Sequence, residues 1–381
     1  MKRYLPILGF LLYLFLTFSH QYGPRLFLSN SHSLQLGQII GISFFYLSSM
    51  IPLILNKDFK FELNNNLIFF ICTFFVSSIF SYELKSIIWS TIYFTNCILL
   101  SKLLYHNSNN LFKSFIPFAF LIFASLLFQL IFYGLDVGRW VGNFRPVNFA
   151  SIGFFIGFLG FLGSNNTFSR VSIALISLFF ASIVVSRGIL VTGAIFLTIY
   201  LLINSYFNSW LKSLVVYSSI FIVLLMFAVI VFIPNVLVYL DIIFDFLDIT
   251  DPERGYGSGF TGRLEKWKLS YEIFKSSPIF GIGYGLNSDS HSGFLQLISE
   301  MGLLGLLSYL ILISKAISNT LISLNQEYSH TINCALSFLI SFQFYALLER
   351  QLINFGYPQG IIFLLIIIFC LQLPKLKQYK K

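Results

Sequence analysis

Apolar residues in this chain run in long unbroken stretches, such as Phe221–Ile233 and Ile361–Cys370, and polar residues gather in the gaps between them. The runs lack the polar–apolar alternation of a lipid-facing barrel strand. A helix needs about 20 apolar residues to cross the hydrocarbon core of a bilayer. On that measure the chain divides into about twelve spans, near residues 4–20, 34–55, 66–81, 86–104, 111–135, 148–163, 170–186, 189–205, 213–233, 293–314, 331–348 and 357–373. The spans 170–186 and 189–205 also read as one hairpin turning at Ser186-Arg187-Gly188. A backbone in lipid must satisfy its own hydrogen bonds, and a helix does so within one segment. The predicted fold class is therefore all-α and polytopic.

One stretch breaks the pattern. Residues 234–292 open on Asp241, Asp245, Asp248, Asp251 and Glu253, continue through the turn Gly255-Tyr256-Gly257-Ser258-Gly259, and then regain helical spacing from Arg263 to Lys275. Leu264, Trp267, Tyr271 and Phe274 fall on one face of that helix. The spacing predicts an interfacial helix lying on the membrane, with Thr261 as its N-cap and Pro278 as its stop. The chain accordingly divides into transmembrane helices over 1–233, a long loop over 234–292 and transmembrane helices over 293–381.

Composition agrees with lipid as the principal solvent: 57% of residues are hydrophobic and 10% charged, with a mean hydropathy of +0.82. That charge is too sparse to coat a globule of 381 residues. Cys72, Cys97, Cys334 and Cys370 each sit inside an apolar run with no CxxC pair, which points to packing and away from zinc or a disulfide framework. The net charge of +9 is scattered among the spans, so it carries no nucleic-acid signal and reads as topology. With the N-terminus inside, thirteen Lys and Arg residues fall on the inner side. The short outer loops hold Arg25, Lys85, Arg139, Arg145, Arg187 and Arg350, and five more lie in the long loop. This bias puts both termini in the cytoplasm and the long loop outside. Tyr4–Ser19 follows Met1-Lys2-Arg3 as a signal peptide would, but no small-x-small cleavage site follows it, and it reads as a retained first span.

Three residues stand out chemically. About 15 apolar residues precede Arg187 from the inner side, a climb of about 22 Å against a core of about 30 Å, which places a cation below the outer surface. The alternative is a longer or tilted span with Arg187 in an ordinary turn. Arg263 sits at the predicted start of the interfacial helix, where a cation opposes the macrodipole. Such a cation suits an anionic ligand, or a local pair with Asp251 or Glu253. His291, in Ser290-His291-Ser292, falls at the predicted start of the next span. The positive end of a helix there favours phosphate and a neutral imidazole able to accept a proton. Arg139 and Arg145 add two cations on the same side, and Glu349-Arg350 reads as a local charge pair. Gly281-Ile282-Gly283-Tyr284-Gly285 has no preceding strand and no following lysine, so it reads as a close-packing turn and not a nucleotide loop. No His, Asp and Glu residues show metal-ligand spacing, and no cofactor is implied.

Together these residues resemble the O-antigen ligase and polymerase superfamily. The resemblance runs through Gly262-Arg263, Trp267, Ser277-Pro278-Ile279-Phe280-Gly281-Ile282-Gly283, Ser290-His291-Ser292 and Glu300-Met301-Gly302, with Ser186-Arg187-Gly188 as a second signature. Ser292 stands where many relatives carry Asn. The resemblance implies a GT-C type membrane glycosyltransferase in the bacterial inner membrane, with its site facing the periplasm. It implies a polyprenyl-diphosphate-linked glycan donor and a metal-independent, inverting transfer to a glycan or lipid A–core acceptor. By the same resemblance Arg187 and Arg263 bind the diphosphate, and His291 acts as general base or as a further phosphate contact. Arg139, Arg145 and Trp267 complete the expected substrate-binding set. Ligation to lipid A–core leads, with glycan polymerisation and protein glycosylation as related outcomes. A transporter or flippase of lipid-linked glycans would instead show paired repeats and midplane charge, and a purely structural subunit would leave Arg187, Arg263 and His291 dispensable.

Overall fold

The computed structural model describes residues 4–20, 36–56, 63–133, 146–183, 187–207, 259–287, 290–349, 352 and 357–378. Their regular structure is entirely helical. In chain order the helices are α1 (Leu5–His20), α2 (Leu36–Asn56), α3 (Asn65–Ser81), α4 (Leu84–Tyr133), α5 (Pro146–Gly163), α6 (Thr167–Ile183), α7 (Arg187–Phe207), α8 (Gly259–Ser276), α9 (Gly293–Gln326), α10 (His330–Leu348) and α11 (Pro358–Gln378). By length and composition, Leu84–Phe132, Gly188–Phe207, Gly293–Gln326 and His330–Leu348 can each cross a membrane, and six shorter apolar helices accompany them. The expected span 213–233 lies outside the described residues.

The spans expected at 86–104 and 111–135 are the two helical halves of α4, which meet at a kink at Asn107 (φ −136°, ψ 15°). One residue leaving helical geometry is enough to turn the axis there. Helices α6 and α7 touch each other, but α6 packs chiefly on α5 and α7 chiefly on α10; the turn residues 184–186 between them lie outside the described residues.

Small residues let the helices approach closely. A Cβ on Gly153 would lie 2.6 Å from Phe180 Cβ, and one on Gly157 would lie 1.7 Å from Ser177 Oγ, so α5 presses directly onto α6. On its other side α5 meets α10 through aromatic rings, with Phe158 stacked on Phe338 at 3.9 Å between centroids. Such ring pairs add about 0.5–1.5 kcal/mol beyond the area they bury. Cys97, Cys334 and Cys370 are buried, Cys72 is exposed, and all four are unpaired. Outward, large apolar side chains such as Phe132, Phe168, Leu175 and Leu121 stand mostly exposed. In water this surface would aggregate; against lipid it is the expected exterior of a multi-pass membrane protein.

Candidate functional site

The site rests on a break in α9. At Gly302 the backbone takes φ 65° and ψ −165° inside an otherwise continuous helix. In an unbroken helix the amides of Leu303 and Leu304 would donate to the carbonyls of Ser299 and Glu300. Here Leu303 N–H donates to Pro278 O at 2.8 Å and Leu304 N–H to Ile279 O at 3.2 Å. The two freed carbonyls accept from Ile282 N–H and Gly283 N–H, each at 3.0 Å. Two helical bonds are thus exchanged for four bonds between the helix and the loop after α8. Ser77 Oγ, from α3, also donates to the Glu300 carbonyl. The glycines make this possible: a Cβ on Gly281 would lie 2.3 Å from the Glu300 carbonyl, and one on Gly302 would lie 2.2 Å from Ile279 O. The expected close-packing turn is borne out, with positive φ at Gly281, Gly283 and Gly285.

The Glu300 side chain extends the clamp. It is fully buried; one carboxylate oxygen accepts from Gly285 N–H at 3.0 Å. The other accepts from Asn287 N–H at 3.2 Å and Gln296 Nε2 at 3.0 Å. Asn287 then passes the connection on, donating from Nδ2 to Ser299 Oγ at 2.6 Å and to Ser270 Oγ of α8 at 3.3 Å. Tyr284, between these contacts, is edge-on to Phe74 at 4.4 Å. Burial pushes its phenol well above the ordinary range, so it serves as an anchor and not as an acid. The loop from Gly281 to Asn287 is therefore fixed by buried hydrogen bonds.

His291 itself adopts the left-handed conformation, φ 49°, immediately before Ser292, the N-cap of α9. Its carbonyl accepts a long hydrogen bond, 3.4 Å, from Trp267 Nε1. Four residues before Trp267, one turn of α8 back, Arg263 Nη2 lies 2.9 Å from Glu349 Oε1. Glu349 caps the end of α10. A Cβ on Gly293 would lie 3.3 Å from the Glu349 carbonyl, and one on Gly188 would lie 3.9 Å from Leu348 Cδ1. The starts of α7 and α9, the end of α10 and the first half of α8 thus converge. Arg263, Trp267, His291 and Glu349 come together beside the backbone that begins at Arg187. The Arg187 side chain, Arg139 and Arg145 lie outside the described residues, as do Asp251, Glu253 and Arg350.

Helix α8 departs from expectation at its start. It begins at Gly259, so Thr261 lies in its first turn and is not its cap, and Arg263 is its fifth residue. It ends at Ser276, before Pro278, as expected. Its inward face centres on Ser270, which is buried, whereas Tyr271 and Leu269 are exposed. The Ser270–Asn287 hydrogen bond and the Arg263–Glu349 pair set that orientation. Tyr271 carries Lys275 over its ring at 4.7 Å, and the hydrogen bond that Lys275 donates to Glu272 raises the pKa of that ammonium above its ordinary value. Among the described residues no group of His, Cys, Asp and Glu is arranged to hold a metal ion.

Residues 172–310 match the family described as O-Antigen ligase. The superfamily resemblance read from the short motifs is borne out on the segment that carries Arg187, Arg263, Trp267, His291 and the Gly302 break. No curated protein matches the chain. The matched segment ends inside α9, so α10, α11 and Glu349 lie beyond it.

Proposed function

We propose that this protein transfers a glycan from a polyprenyl-diphosphate-linked donor to an acceptor hydroxyl at the outer face of the bacterial inner membrane, and that lipid A–core is the acceptor. The observation that carries the reading is the convergence, on the O-antigen ligase segment, of a guanidinium, an indole and a histidine at one end of a membrane helix bundle. The site belongs to a GT-C type bundle of about twelve spans with both termini cytoplasmic and the loop 234–292 on the outer side. Arg263 and Arg187 bind the donor diphosphate, with Arg139, Arg145 and Trp267 holding the rest of the substrate. The acceptor oxygen attacks the anomeric carbon from the face opposite the diphosphate, which inverts that centre. As the carbon–oxygen bond to phosphate breaks, its electron pair stays with the diphosphate, and the arginines stabilise the charge that develops there. His291 takes the proton that the acceptor hydroxyl gives up.

Two measurements test this. Deleting the gene and resolving the cell's glycans on a gel is expected to remove polymer from lipid A–core while polymer persists on the carrier. Single capped units would point to a polymerase, and an unchanged ladder would rule out glycan transfer altogether. In a purified transfer assay, EDTA is expected to leave the rate unchanged; loss restored by a divalent ion would contradict the arginine-based account.

A further inference from the structure

Glu349 lies beyond the O-antigen ligase segment, and the transfer chemistry assigns it no task. It nevertheless faces the guanidinium proposed to hold the diphosphate, 2.9 Å away. Both charges are badly placed on their own helices. Arg263 stands near the N-terminus of α8, where the macrodipole is positive, and Glu349 caps the C-terminus of α10, where it is negative. Neither position helps its helix, and each is offset by the other residue across 86 positions of sequence. The pair is also open to the site, with side chains 24% and 14% exposed, so an incoming anion can reach it.

We propose that Glu349 is an internal counter-ion that competes with the diphosphate for Arg263. It orients the guanidinium in the empty site, yields it to the arriving donor, and reclaims it as the polyprenyl diphosphate product leaves. This rests on Arg263 being a diphosphate contact. The exchange swaps one anion for another and breaks no covalent bond. Competition matters most at the end of the cycle. The product carries an ionisable oxygen that in the donor was bonded to sugar, so it is the more anionic ligand and the harder one to release. Glu349 is thus a positioning residue whose second effect is to limit product inhibition.

The test uses the full-length protein in lipid nanodiscs, titrated with farnesyl diphosphate. Glu349→Gln keeps an oxygen for Arg263 and removes the charge. A partly exposed ion pair biases an equilibrium by up to about fivefold. Glu349→Gln is therefore expected to bind farnesyl diphosphate about fivefold more tightly than the native protein, and to be inhibited by it at correspondingly lower concentration during turnover. Arg263→Ala is expected to lose binding. If Glu349→Gln binds no more tightly while Arg263→Ala loses binding, the counter-ion role is overturned and the diphosphate reading stands. If the native protein does not bind, or Arg263→Ala binds as well as it does, both fall together. Should the glutamine variant not fold, Glu349→Asp replaces it: its shorter carboxylate reaches Arg263 less well and should give an intermediate tightening, and none would overturn the proposal.

Discussion

Glu300→Ala is expected to destabilise the folded protein by about 3 kcal/mol or more and to abolish transfer. The carboxylate takes hydrogen bonds from Gly285 N–H, Asn287 N–H and Gln296 Nε2 in a fully buried setting. Removing it strands three donors, and each buried donor left unsatisfied costs about 1–3 kcal/mol. Glu300→Gln keeps the volume but turns an NH₂ group toward one side of a cluster whose neighbours all donate, so at least one clash remains. The expected order of stability is native, then Gln, then Ala. Gly302→Ala should be damaging by a different route. Its φ and ψ lie in a region that costs a side-chain-bearing residue about 1–3 kcal/mol, and its Cβ would strike the Ile279 carbonyl. Thermal aggregation of detergent-purified variants, followed by size-exclusion chromatography, measures both. A Glu300→Ala protein as stable as the native one would show that the loop before His291 is held by other means.

These two positions also mark where sequence stops being legible. The long apolar runs announced their helices because lipid leaves the backbone no other choice along one chain. Gly302 falls in the middle of such a run, and nothing local says that the helix must open there. The reason is the loop Pro278–Gly283, which offers replacement partners for exactly the amides and carbonyls that the break releases. Arg263 was legible as a cation on the wrong end of a helix, but its partner was not, because pairing across 86 positions is a property of the packed bundle. A signal did exist. Glu349 is an anion at the wrong end of its own span, and two misplaced charges of opposite sign are a reason to look for each other.

His291 allows chemistry and backbone to be separated, and the expected result is that chemistry decides. Its φ of 49° is a conformation that glycine adopts freely and that asparagine tolerates better than most residues. His291→Gly should therefore keep the turn that delivers Ser292 to the N-terminus of α9, and even relieve strain there. If the imidazole accepts the acceptor's proton, that variant should still lose about 10²- to 10⁴-fold in turnover, the usual worth of a positioned base. His291→Asn should lose as much, since an amide is no base. Alanine is the poorer choice, because it removes the base and strains the backbone together. Turnover with purified donor and acceptor, compared at equal folded protein, measures the loss, and added imidazole should restore part of it in the glycine variant. A glycine variant with near-native turnover would show that His291 serves only the turn. The indole of Trp267 would then be bonded to a structural carbonyl, and the proton would have to leave by another route.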